Sequence, residues 1–266
     1  NETEINQDIY GNDIRPTQVE KPNWVSHFFK DPVGYVAGNY QFYFREGLNT
    51  LTLVAEREPF LISSLKLVPV KELKSYQEIS AEYDKLGYQK VEATKLLIEG
   101  ENSSFTTSPT LYPENSNDPA TSPNNSPKKV KLNTIGGNNW RIAGGMIAWD
   151  FTVSESGLYQ ITYRLKQNLA TGMSAGRNIY INDEIPFKEM LNYSFKHSNG
   201  WRNQTLGTKD EPFYFYFEAG KNYQIKMETS LGQYGSRIAS LESIINNLSS
   251  LYREIIKFTG PEPDVN

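Results

Sequence analysis

The stretch Phe215–Met227, FYFEAGKNYQIKM, decides the fold class. Three aromatic residues lead through two spacers to Gly220. After one more spacer, Asn222 opens a run in which Tyr223, Ile225 and Met227 alternate with polar neighbours. Alternation on both sides of a glycine turn is the period of half-buried strands, not of a helix. Short runs of the same character surround it: MIAWDFTV at 146–153, GLYQITYRLKQN at 157–168, NIYINDEIP at 178–186 and SRIASLESI at 236–244. The turns between several of them carry Gly, Asn or Asp. This spacing predicts a mainly β chain whose centre is a jelly-roll β-sandwich of antiparallel strands.

Composition agrees and narrows the function classes. Among 266 residues there are 17 Tyr against 4 Met, and ring side chains suit a half-buried pleated surface. Net charge is −4, from 27 basic and 31 acidic residues, and no basic run is denser than KKVK at 128–131. Nucleic acid is excluded as a partner, because phosphate binding needs a concentrated positive field. The absence of cysteine excludes disulfides, thiol catalysis and cysteine-based zinc sites. No apolar run approaches the roughly 20 residues of a membrane span, so direct membrane insertion is not expected.

A close copy of the deciding stretch, FYFREGLNTLTL, occupies 42–53, and only 41 residues precede it. NYQFYF and NTLTLVA read as strands joined through the hairpin signal REG, and FLISSLKLVPV at 60–70 reads as a further strand. Residues 1–70 are therefore expected to form the C-terminal half of a first jelly-roll repeat. Half a sandwich exposes an apolar face and open edges. Docking on the complete domain or pairing with another chain would cover it.

A helical linker is expected in 71–92, where Leu73, Ile79, Tyr83 and Leu86 fall at helical spacing before Gly87. KVEATKLLIEGENSSF at 90–105 returns to strand, within a complete jelly roll over 93–244. The Ser/Asn/Pro-rich segment 106–127 reads as a mobile loop. A C-terminal helix and tail fill 245–266, with Leu248, Leu251, Ile255 and Ile256 on one helical face.

Four stretches carry a resemblance: GNDIRPTQVEKPNW at 11–24, REPFLISSLKL at 57–67, SYQEISAEYDKLG at 75–87 and LYREIIKFTGPEPDVN at 251–266. Together they resemble the accessory region of bacterial extracellular solute-binding lipoproteins of sugar ABC transporters. In that family, galactose-binding-like jelly rolls are joined by a helical linker. The resemblance implies a surface-exposed, non-catalytic role with an oligo- or polysaccharide as partner, inside a larger chain with neighbouring domains. The GNDIRP loop belongs to the first copy alone.

Sugar recognition combines an aromatic face for pyranose C–H patches with planar polar groups for hydroxyls. Two loops carry that mixture. GGNNWRIAGG supplies Asn139, Trp140 and Arg141, and HSNGWRNQT supplies Trp201, Arg202 and Asn203. The competing reading is that either tryptophan plugs an end of the sandwich. Trp149 shares a strand face with Ile147, Phe151 and Val153 and is expected in the core. Trp24 reads as packing of the half-domain. Asn12, Asp13 and Arg15 either bind a ligand or pin their loop through Asx-type bonds.

IEGEN at 98–102 resembles the first strand of calcium-carrying carbohydrate modules. The resemblance implies a structural calcium ion held by Glu99 and Glu101, with Glu242 as the last-strand ligand. Otherwise these are solvated acids at a strand edge. His27 and His197 are the only histidines and fit no triad or metal pattern, and GMSAG at 172–176 lacks the nucleophile-elbow spacing. No enzyme is expected. The leading expectation is a carbohydrate-binding module; the alternative is a structural module that docks or spaces neighbouring domains without binding glycan.

Overall fold

Tyr223, Ile225 and Met227 are buried on one side of a strand because successive side chains in an extended chain point to opposite faces. The computed structural model describes residues 5–19, 28–36, 38–54, 61–70, 72–92, 94–169 and 171–261. The first sheet contains β1 (Phe105–Thr106), β4 (Met146–Thr152), β7 (Ala175–Ile181), β8 (Tyr193–Phe195) and β11 (Asn222–Ser230), antiparallel in the order β1-β4-β11-β7-β8. A small pair, β2 (Pro113–Glu114) with β3 (Thr134–Ile135), lies in the segment between β1 and β4.

The second layer is built on one run broken at Ile161. Its first part, β5 (Gly157–Gln160), pairs with β10 (Tyr214–Phe217), and its second, β6 (Thr162–Gln167), pairs with β9 (Ser198–Thr205). The Leu206 N–H donates to the Ile161 carbonyl at 3.0 Å and joins the two pairings. Between the layers lie Ile179, Phe187, Met190, Leu206, Phe215, Phe217, Tyr223 and Met227. Phe217 meets Tyr223 edge-on at 4.7 Å, and Phe187 stacks near Phe215 at 5.4 Å. Each large side chain so buried contributes about 1.5–3 kcal/mol. Trp149 and Phe151 pack against this cluster, on the side expected of them.

The deciding stretch joins the layers. β10 pairs with β5, whereas β11 pairs with β4 and β7, so the two strands form no hairpin with each other. At the corner, the Glu218 N–H donates to the Tyr223 hydroxyl at 2.9 Å and the Gly220 N–H to the Val153 carbonyl at 2.9 Å. Gly220 sits at φ +73°, where a side chain would be strained.

The first copy forms its turn but not its sheet. Asn49 accepts from the Arg45 N–H at 3.2 Å and donates to the Arg45 carbonyl at 2.7 Å. Residues 42–54 and 61–70 otherwise form no ladder among the described residues, and Phe42, Phe44, Leu51, Leu53 and Leu65 are exposed. Alternation specifies which face a strand would bury, but the ladder itself needs a neighbouring edge. Other parts of the N-terminal region do meet β11 and the segment between β1 and β4. Lys30 pairs with buried Glu228, and the Asp13 N–H donates to the Val130 carbonyl at 2.9 Å. Trp24 and His27 lie outside the described residues.

The linker helix is α1 (Tyr76–Lys85), capped by Ser75 in a reciprocal capping box with Glu78. Tyr76 anchors it, with its ring 4.5 Å from Phe213 and its hydroxyl accepting from the Tyr214 N–H at 3.0 Å. The C-terminal helix α2 spans Gly235–Thr259. SRIASLESI is therefore helix and not the last strand: Leu241, Ile244 and Ile245 also satisfy the three-to-four spacing that continues through Leu248. HSNGWRNQT, expected as a loop, is mostly strand β9, because pairing with β6 outweighs its Asn/Gly composition. Among the described residues of KVEATKLLIEGENSSF, strand pairing is confined to Lys90 and Phe105. Segment 106–127, expected to be mobile, is tied to buried Asn133, whose Nδ2 donates to the Ser116 carbonyl, Thr121 Oγ1 and the Pro123 carbonyl.

Candidate functional site

Trp140 lies at the end of the first sheet, and three contacts fix its ring. Its Nε1 donates to the Gly145 carbonyl at 2.9 Å, and the Arg177 guanidinium covers one face at 4.2 Å. A Cβ on Gly136 would stand 3.1 Å from Trp140 Cε3, so a glycine there permits the packing. Trp140 is half-buried and joins the core cluster. Its expected neighbours diverge: Asn139 donates to Glu114 Oε1 at 2.6 Å, whereas Arg141 is exposed.

Arg177, on β7, was not among the residues read from sequence. Burial pulls its pKa down to about 10, so it stays charged at neutral pH. It donates to the carbonyls of Gly176 and Trp140 at 2.7 and 3.2 Å. Next to it, a recess of about 150 Å³ is lined by Ser174, Gly176, Asn192, Ser194, Gln233 and Tyr234, with Leu231 and Gly232. The hydroxyls of Ser230 and Thr229 are buried nearby without a hydrogen-bond partner among the described residues. Gly176 is required here, since a Cβ would meet the Ser230 carbonyl at 2.7 Å. A glycine inside an otherwise alternating run was the available sequence signal of close backbone approach.

Trp201, Arg202 and Asn203 lie in β9. Trp201 is half-buried and its Nε1 is shielded from solvent, so its ring does not stand free as a platform. Arg202 donates to the Lys196 carbonyl at 2.6 Å and to Gln204 at 2.9 Å. Exposed Asn203 accepts from Arg164 Nη1 at 3.1 Å. The two expected tryptophan sites thus belong to different elements; segment 113–120 bonds Asn139 through Glu114, and Arg164 and Lys166 of β6 through Ala120 and Asp118.

A second recess, about 530 Å³, is lined by Asp13, Glu99, Glu101, Asn102, Asn124 and Lys131. Glu101 is 6% exposed, and its Oε2 has no partner among the described residues. Burial pushes its pKa up to about 7, helped by the charges of Glu99 and Asp13. Glu242 does not join them: it is exposed on helix α2 and faces the Tyr35 hydroxyl. Asp13 is committed to Lys131 at 3.0 Å and to the Leu132 N–H at 2.9 Å. Calcium takes six to eight oxygen ligands. The expected set is not assembled, because Glu242 stands apart on α2 and the carboxylate that does join Glu99 and Glu101, Asp13, is paired with the Lys131 ammonium. Among the described residues no three acids or histidines converge as a metal would need. Asn12 and Asp13 pin their loop to residues 130–132 and not by the expected local Asx-type bonds, with Asn12 Oδ1 accepting from the Val130 N–H at 3.0 Å, and Arg15 stacks 3.5 Å from the Tyr112 ring.

Known proteins give limited company to this geometry. No protein-family model matches the chain. No curated protein matches it either. Among solved structures, it is similar to a cycloisomaltooligosaccharide glucanotransferase of Paenibacillus sp. complexed with cycloisomaltoheptaose. The identity is 18% and the TM-score 0.38, over 60% of this chain and 21% of that one. It is also similar to a ruminal GH26 endo-β-1,4-mannanase, at 20% identity and TM-score 0.31, over 52% of this chain and 24% of that one. The chain thus spans under a quarter of each of these proteins.

Proposed function

We propose that the β-sandwich is a non-catalytic carbohydrate-binding module, acting at the bacterial cell surface in a larger chain that serves sugar uptake. The observation that carries this reading is the recess beside the Trp140–Arg177 stack. It presents hydroxyls, amides and one tyrosine ring, the groups that match a sugar's hydroxyls and C–H patches. At about 150 Å³ it is smaller than the roughly 300–1,000 Å³ of drug-sized sites, so it takes the end or one residue of a glycan. Trp140 then serves to hold Arg177 next to the recess without lining it, and Gln233 and Tyr234 make the contacts. Single-site affinity is weak, because little surface is buried, and attached domains supply avidity.

Retention on a panel of immobilised plant and microbial polysaccharides tests the reading, with Gln233→Ala and Tyr234→Ala variants run alongside. Retention on at least one glycan, reduced in both variants at unchanged melting temperature, is the expected result. Folded parent protein that no glycan retards would end it.

A second reading, that of an interaction module, has its own observation. Helix α2 carries Leu241, Ile244, Leu248, Leu251, Ile255 and Phe258 at alternating spacings of three and four, and all are exposed. A stripe of that width is built to meet another surface. The two readings are compatible, since the recess and the stripe lie on different elements.

A further inference from the structure

The outward face of the second layer carries a row of paired polar side chains. Phe215, Phe217 and Leu206 point into the core, so their strand neighbours Tyr214 and Thr205 point out. Across the ladder Tyr214 faces Gln160, Thr205 faces Thr162 and Asn203 faces Arg164. Each rung is internally bonded. Gln160 Nε2 donates to the Tyr214 hydroxyl at 2.8 Å, the two threonine hydroxyls are 2.8 Å apart, and Arg164 Nη1 donates to Asn203 Oδ1 at 3.1 Å. Lys166 continues the row and pairs with Asp118 at 3.1 Å. From Gln160 to Lys166 the row runs about 20 Å at the rise of a β-strand.

Two cations on this face have no carboxylate partner among the described residues. Lys90 Nζ stands 4.5 Å over the Tyr214 ring, and Arg164 spends its second hydrogen bond on the Ala120 carbonyl at 2.6 Å. We infer that this face is a second binding surface, separate from the recess, whose ligand is an acidic oligosaccharide. Hydroxyl and amide rungs match sugar hydroxyls, and Lys90 and Arg164 meet carboxylates. A protein partner fits less well, because protein interfaces centre on an apolar patch and these rungs are polar. Nucleic acid would need many more cations than two.

Isothermal titration of the full chain with tetragalacturonate, tetramannuronate and neutral cellotetraose tests the inference. The expected result is that at least one acidic tetramer binds, at least tenfold more tightly than cellotetraose and more weakly as salt is added. Replacing both cations (Lys90→Gln with Arg164→Gln) weakens that binding at least tenfold, and by more than Gln233→Ala in the recess does. Both cations are exposed, and Lys90→Gln alone provides a variant with no hydrogen bond to lose. The inference is overturned if neither acidic tetramer binds, if cellotetraose binds equally well, or if the double variant binds like the parent. Loss in Gln233→Ala with the double variant intact would put the acid in the recess and overturn the second surface, while leaving the recess reading standing.

Discussion

Glu101 and Glu228 are both buried acids, 6% and 3% exposed, and their surroundings drive them in opposite directions. Burial lifts Glu101 to about 7, above its ordinary 4.5. The folded state therefore holds that proton more tightly than the unfolded chain. Its carboxyl costs nothing below about pH 4.5, and stability is lost as pH rises toward 7, by on the order of 3 kcal/mol. Glu101→Gln is expected to match the parent at pH 4 and to exceed its urea-unfolding stability by about 1–3 kcal/mol at pH 8; equal stability at pH 8 would refute this account. Calcium that stabilised the parent at pH 8, but not the variant, would place an ion on Glu99 and Glu101. For Glu228 burial also pushes the pKa up, but the hydrogen bonds from Lys30, Tyr180 and Asn178 outweigh it and hold the carboxyl below 4.5. Its contribution is present above pH 4.5 and lost as pH falls through the folded value. Segment 28–36, tied to Glu228 through Lys30, should gain amide exchange on acidification before the sandwich core does. Glu228→Gln should show the same loosening at pH 7.

At the scale of elements, the corner between β10 and β11 is the joint to test. The Tyr223 hydroxyl accepts the Glu218 N–H where the chain passes from one layer to the other. Tyr223→Phe removes that acceptor and keeps the ring, so a loss of about 1 kcal/mol in unfolding free energy is expected. A loss of zero would mean that water replaces the hydroxyl without cost. The linker helix offers a comparable measurement. Ser75→Ala breaks one half of the capping box with Glu78 and should cost about 1 kcal/mol, read as earlier melting of α1 against Phe187 and Phe213.

For the whole molecule, exposed apolar surface governs behaviour in solution. The α2 stripe and the unpaired segments 42–54 and 61–70 leave Leu48, Leu61, Leu67, Leu248 and Phe258 open to solvent. Patches of that extent favour association. The chain is expected to show concentration-dependent self-association in sedimentation velocity, and Leu248→Glu with Leu251→Glu should shift it toward the monomer. A monomer at every concentration would mean that these segments find cover within the chain.

Alternation foretold β4 to β7, β10 and β11 of the sandwich, though neither β8 nor β9, because a half-buried strand writes its burial into every second residue. Ile79, Tyr83 and Leu86 at helical spacing, with Gly87 as the stop, likewise announced α1, whereas its capping box of Ser75 and Glu78 was seen only in the structure. The candidate site was less legible. Trp140 was found by its composition, but Arg177, Gln233 and Tyr234 come from β7 and from the turn before α2, and no local pattern joins them. Pairing decided that HSNGWRNQT is strand, and helical continuity decided that SRIASLESI is helix, because nine residues satisfy either period until their neighbours choose. The acids show the same division. Sequence alone set two glutamates two residues apart at 99 and 101, whereas only the tertiary fold sent Glu242 away on a helix and brought Lys131 beside them. Sequence thus determined what each segment buries, a property of neighbouring side chains. The tertiary structure decided which segments meet, since contacts across a sandwich join residues that the chain keeps far apart.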